Sequence, residues 1–272
     1  KMSKTLPISR RQLFVMSSAT ALLSGGAAQA AYPERAVTLS VSFPPGGATD
    51  ILARLLAPPL SEALGKPVVV ENRGGAGANI GIGYVARAAA DGYTLLVTSS
   101  AFVVNPSLYR NAPYDPFRDF TPICTLGASP NVIAVKPNSG IASLPDLIAQ
   151  AKANPDKFNY ASPGIGTTPH LAGELLKLRA GFEMQHVPFS GAGPATQAAL
   201  AGTVQVISAA QGSIMAQLRS GEFRALVQTG AARNIDLPDT PTQEELGIKD
   251  ANSETFLALF APAGTPAPVV EL

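Results

Sequence analysis

Two histidines, one cysteine and a few glycine-bearing loops carry whatever chemistry this chain of 272 residues can do. A nucleophilic enzyme needs a Ser, Cys or Lys beside a base, and a metal site needs clustered His, Cys or carboxylates. His170 and His186 are the only imidazoles, and no HxxxH, CxxC or GxSxG pattern occurs. His170 follows Thr-Thr-Pro and reads as a helix N-terminal donor or a surface residue, whereas His186 precedes Val187 on a strand and reads as structural. Cys124 lies between Ile123 and Leu126, which reads as buried packing, and a lone cysteine excludes an internal disulfide. An enzyme acting on an anionic metabolite is therefore a poor reading, and neither metal nor cofactor is expected.

The loops say more. Ser42-Phe43-Pro44-Pro45-Gly46-Gly47-Ala48-Thr49-Asp50 is entered by an alternating strand, Val37 to Phe43, and left by a helix from about Thr49 to Leu64. Ile51, Leu52, Leu55 and Leu56 read as that helix's apolar face, and Pro58-Pro59 should kink or split it. A helix N-terminus offers unpaired N–H groups and partial positive charge. Gly46 and Gly47 allow a ligand close to that backbone, so the loop suits an anion. An ordinary strand-to-helix turn has the same composition, and the loop alone leaves both readings open.

Tyr160-Ala161-Ser162-Pro163-Gly164-Ile165-Gly166-Thr167-Thr168-Pro169-His170 repeats the logic: short strand, glycine loop, Thr cap and proline at a helix start. Ser190-Gly191-Ala192-Gly193-Pro194, after Val187-Pro188-Phe189, opens a third helix. Gly75-Ala76-Gly77 after Val68-Val69-Val70 has the wrong spacing to Gly81 for a dinucleotide fingerprint, and no Walker-type loop occurs.

The elements positioning these loops alternate strand and helix, which implies a largely parallel α/β sheet with ligands beyond the strands' carboxyl ends. Asn105 to Tyr109 reads as a turn, and Ile123 to Val135 as a crossing between two lobes. Ser143 reads as a helix N-cap with Asp146 three residues on, and Pro238 to Gly247 as loop plus a short helix. Residues 1–30 read as a secretory signal: basic Lys1, Lys4, Arg10 and Arg11, an apolar core from Leu13 to Leu23, and Ala28-Gln29-Ala30. Arg10-Arg11 fits either a Sec or a twin-arginine signal, so a periplasmic location is expected. Four of the 20 Lys+Arg and none of the 19 Asp+Glu lie in that segment, so the remainder carries about −3. Nucleic acid then has no electrostatic basis as a partner.

Six runs resemble the tripartite tricarboxylate transporter substrate-binding proteins, also called Bug receptors. They are Phe43 to Ala57, Glu71 to Gly77 (Glu-Asn-Arg-Gly-Gly-Ala-Gly), Asp91 to Leu96 (Asp-Gly-Tyr-Thr-Leu-Leu), Tyr160 to Thr167, His186 to Ala195 and Ala261 to Pro266. The resemblance implies a two-lobed, type II periplasmic-binding-protein-like fold, each lobe a mainly parallel sheet flanked by helices and joined by crossing strands. Lobe 1 would comprise residues 31–128 plus about 229–272, and lobe 2 residues 129–228. A small carboxylate would be clamped between Phe43, Pro44, Gly46, Gly47 and Asp50 on one wall and Ser162, Thr167, Thr168 and His170 on the other, with Phe189 and Gly191 nearby. The expected partners are membrane components of the transporter, or a signalling protein if the receptor senses rather than transports, and the receptor itself is expected to be monomeric. Three departures stand out. Family members often run further, so lobe 1 is expected to lack C-terminal helices here. Pro58-Pro59 is unusual. Ser208-Ala209-Ala210-Gln211 stands where receptors for amino acids or larger acids often carry an acid, which argues against pairing with a ligand ammonium.

Overall fold

The computed structural model describes residues 32–272, and the expected signal lies outside the described residues. Residues Arg35–Leu272 form one compact unit. Its centre is a nine-stranded mixed sheet in the order β2-β1-β3-β9-β4-β7-β5-β6, with β8 also paired to β4. Strands β1 (Val37–Val41), β2 (Val68–Asn72) and β3 (Thr94–Ser99) are parallel and make one half. Strands β5 (Asn159–Ser162), β6 (Gln185–Pro188) and β7 (Val206–Ala210) are parallel and make the other. Two antiparallel strands join the halves. The longer, β4 (Phe120–Val135), pairs with β9 (Glu254–Pro262) as far as Pro130, then from Asn131 with β7 and, from Val132, with β8 (Arg224–Gln228).

The period-2 pattern of the strands explains the second half's packing. Ile133, Val135, Tyr160 and Val206 enter one apolar cluster, while their neighbours Val132, Ala134, Ala161 and Ile207 enter a second. In the first half Val37, Leu39 and Val41 are fully buried. Phe102, Tyr114, Phe120 and Phe260 form an aromatic cluster there, with the Phe102 and Phe260 centroids 4.4 Å apart.

The first helix departs from the sequence expectation twice. α1 (Ala48–Leu64) runs unbroken through Pro58 and Pro59 and stops at left-handed Gly65. Each proline deprives the carbonyl four residues earlier of its N–H, but those carbonyls belong to Arg54 and Leu55, which are exposed and within reach of water. The buried side is Asp50, Ala53 and Ala57, while Leu55 is 68% and Ile51 41% exposed. Small residues let the helix axis approach the sheet, Leu52 and Leu56 are half-buried, and Ile51 and Leu55 face outward.

Other elements also differ. Asn105 lies inside α3 (Ala101–Leu108), not in a turn, because Pro106 near a short helix's end displaces little hydrogen bonding. α2 covers Asn79–Ala86. Residues 238–247 form turns without a helix. Cys124 is exposed, because this part of β4 pairs only with β9 and a register shift falls between Pro122 and Cys124. Ser143 caps α4 (Leu144–Ala153) as expected, accepting the Asp146 N–H at 3.3 Å. Among the described residues no helix is long and apolar enough to cross a membrane.

Gly173, in α5 (Thr168–Ala180), shows how tightly the second half is packed. A Cβ there would lie 2.5 Å from the Tyr160 ring, which is fully buried, its hydroxyl 2.6 Å from Glu174 Oε1. Gly173→Ala should therefore destabilise the protein by about 1–3 kcal/mol in urea unfolding, despite alanine's better helix propensity.

Candidate functional site

The three loops meet where the halves face each other. A cavity of about 40 Å³ is walled by Gly47, Ala48 and Thr49 from one half and by Thr167, Thr168, Pro169 and Ala192 from the other. Phe43, Pro163, Ser99, Ala210, Ser213 and Thr255 complete it. Four helices thus bring their first turns to one space: α1, α5, α6 (Ala192–Ala201) and α7 (Gln211–Arg219). First-turn N–H groups have no partner within their helix, and their dipoles add positive potential. The rest of the lining is hydroxyl and apolar, and no ionisable side chain lines it. The arrangement can hold a compact anion without a formal counter-charge.

A second cavity of about 200 Å³ shares Phe43 and Pro163 with the first. Pro44, Phe189 and Gly191 line it, together with the Gly75–Ala78 loop, Tyr109 and Ile165. Thus, of the residues expected at the site, Phe43, Gly47, Thr167 and Thr168 wall the first cavity, and Phe43, Pro44, Phe189 and Gly191 wall the second.

Gly46, Asp50, Ser162 and His170 line neither cavity; they hold the loops from behind. The buried Asp50 carboxylate accepts the Gly46 N–H at 2.9 Å, Arg54 Nε at 3.0 Å and Asn72 Nδ2 at 2.8 Å. The same Asn72 amide donates to the Phe43 carbonyl at 3.0 Å, so strand β2 pins the loop after β1. Burial pushes the Asp50 pKa up, but the hydrogen bonds from Arg54, Gly46 and Asn72 and the Arg54 charge outweigh it and hold the pKa below the usual value.

The second loop is braced in a similar way. Thr167, not Thr168, caps α5: its Oγ1 accepts the His170 N–H and donates to the Gly164 carbonyl at 2.7 Å. Thr168 is the first helical residue, because the chain enters the helix only after the extended Thr167, and its hydroxyl meets that of Thr255 on β9. Ser162 Oγ accepts the Gly164 N–H at 3.2 Å and lies 2.7 Å from His186 Nε2. This serine–histidine pair has the spacing of a nucleophile and base, yet Ser162 is fully buried. The imidazole is held by packing on Tyr160 and His170, with no carboxylate hydrogen-bonded to it among the described residues, so the pair reads as a prop. His170 Nδ1 accepts the Gly166 N–H at 3.3 Å, which requires a neutral ring. Burial lowers both histidines, His186 to about 4. The rings pack with centroids 4.2 Å apart.

Ser99, Ser213 and Thr255 were not anticipated. Ser99 ends β3, and its place at a strand's carboxyl end was the available signal. Ser213 and Thr255 reach the cavity only through tertiary folding. Among the described residues no group of three His, Cys, Asp or Glu could hold a metal.

The architecture and the facing loops define a class: a two-lobed solute-binding protein of the periplasmic type, with the cavity between the lobes. Residues 52–272 match the model described as the tripartite tricarboxylate transporter family receptor, and the chain belongs to this family of solute-binding receptors rather than enzymes. Protein BugT of Bordetella pertussis is 39% identical over 256 residues, 93% of this chain and 78% of that protein. The structure of Rpa4515 of R. palustris with adipate superposes with TM-score 0.86 at 36% identity, covering 88% of this chain and 81% of that one. MatC (Rpa3494) of Rhodopseudomonas palustris with bound malate gives 0.82 at 34%, covering 88% and 82%.

Asp50→Asn tests the brace behind the first loop. A carboxylate with a lowered folded-state pKa stabilises fully above its unfolded pKa, and the contribution is lost as pH falls through the folded value. The variant should lose about 1–3 kcal/mol at pH 7. Its urea-unfolding stability should also fall less steeply than wild type below about pH 4.

Proposed function

We propose that this chain captures a small carboxylate, a di- or tricarboxylate or related organic acid, in the cleft between its lobes. Closure around the solute completes the site, and the closed receptor delivers it to the membrane components of a tripartite tricarboxylate transporter from the periplasm. The observation that carries the reading is the convergence of four helix N-termini on a cavity without ionisable side chains. Anions are favoured there, while a ligand ammonium would meet positive potential and no carboxylate partner.

The energies suffice. A charge-assisted hydrogen bond is worth roughly 1.5–3 kcal/mol and a helix terminus about 0.3–2. Four to six such contacts sum to roughly 6–18 kcal/mol, a range whose upper part reaches the roughly −8 kcal/mol of micromolar binding after ordering costs of several kcal/mol. The adipate and malate named with two structural neighbours support the ligand class.

A thermal-shift screen of C4–C6 dicarboxylates, citrate and aromatic acids tests the proposal. Saturation at a hundred times Kd should add about 2.7 kcal/mol of stability. Gly47→Val should abolish that shift while the unliganded protein stays folded. Gly47 has an extended backbone (φ −83°, ψ 165°) that any residue adopts, and a Cβ there meets its nearest neighbour at 3.9 Å. Valine's branches would then occupy the anion's approach. If no acid shifts the wild-type melting temperature, the proposal fails.

A further inference from the structure

The Arg73–Ala78 loop has no place in the anion cavity, yet it takes an unusual path. Ala76, Gly77 and Ala78 are successive residues at positive φ, of +48°, +61° and +85°. Gly77 sits directly against the opposite lobe. A Cβ there would lie 2.3 Å from the Ile165 carbonyl oxygen and 2.8 Å from Tyr109 Oη. Tyr109, at the end of α3, reaches across the cleft and donates to that same Ile165 carbonyl at 3.2 Å. Asn105, fully buried one turn earlier, donates from Nδ2 to the Gly77 carbonyl at 2.6 Å and fixes the loop from below. On the far side Gly166, at φ +86°, abuts Asn105 so closely that a Cβ would fall 2.2 Å from Oδ1.

Glycine is thus demanded on both sides of one contact by the opposing lobe. We infer that Gly77, Asn105 and Tyr109 on one lobe and Ile165–Gly166 on the other form a latch that holds the cleft shut, so that Tyr109 sets how long a captured solute is retained. The inference rests on capture by closure as proposed above. Tyr109 is a positioning residue in this scheme. Its hydroxyl joins the lobes only when they meet, and the phenol donates at neutral pH as any tyrosine does. The latch grips the loop whose other end, through Thr167, caps α5, so opening it loosens one wall of the anion cavity.

The experiment follows lobe closure by single-molecule energy transfer. Dyes are placed at Glu62→Cys and Asp156→Cys, exposed positions on the two lobes, with the exposed Cys124 changed to Ser. Protein with Tyr109 intact should populate a compact state whose lifetime lengthens in malate or adipate. Tyr109→Phe should shorten that lifetime about five- to tenfold, the worth of one neutral hydrogen bond, with the melting temperature of the open protein unchanged. Gly77→Ala should reduce the compact fraction further, since its methyl would meet the Ile165 carbonyl oxygen of the opposite lobe. The part of its cost that comes from φ +61° and from Tyr109 Oη should appear separately as a lower melting temperature of the open protein. Equal compact-state lifetimes in Tyr109→Phe and the parent would overturn the latch, as would absence of a compact state in the parent. A parent that closes spontaneously but ignores every carboxylate, with Tyr109→Phe still opening faster, would uphold the latch and overturn the carboxylate reading.

Discussion

Everything at the cleft depends on β4 being shared by both lobes. A single strand of 16 residues changes partners between Pro130 and Asn131, leaving β9 for β7 and β8. Backbone groups at such a change must find acceptors and donors, and buried side chains supply them. The Asn131 N–H donates to Thr229 Oγ1 at 2.9 Å, and Thr255 Oγ1 donates to Asn131 Oδ1 at 2.9 Å. Thr255 in turn meets Thr168 at the start of α5, so the polar knot at the crossing is continuous with the cavity between the lobes. The strand exchange and the cavity wall are therefore one hydrogen-bonded assembly.

Much of this was legible in the residues. The alternation of Val37 to Phe43, the stop at Gly65, the cap at Ser143 and the long extended run through Val135 follow from local chemistry, and the structure has each. Misreadings arose where tertiary packing overrides local preference. α1 turns Ala53 and Ala57 fully inward and leaves Leu52 and Leu56 half-buried and Ile51 and Leu55 exposed, because small residues let the helix approach the sheet closely. Cys124 sits in an apolar run but on a stretch paired along one edge only. Asn105 looked like a turn former, and its buried amide instead orders a neighbouring loop.

The candidate site was readable at the level of loops and not of atoms. Glycine and threonine before a helical pattern mark N–H groups that need a partner, and that signal located both walls. It could not separate residues facing the cavity from those bracing it. Asp50 and Ser162 belong to the same short motifs as Gly47 and Thr167, yet their side chains point into the protein and secure backbone turns. Polar residues in a loop motif hold the loop as often as they meet a ligand, and only geometry tells which.

The cavity's neutral lining has an outcome for how such a receptor meets a changing medium. Peptide dipoles and hydroxyl groups neither gain nor lose protons in the range where a dicarboxylic acid ionises. The lining itself keeps its charge there, while the groups that brace the loops from behind, the Asp50 carboxylate and the His170 and His186 imidazoles, are the ones acid can reach. With no histidine or lysine in the lining, acid reaches the cavity through its braces and not through its walls.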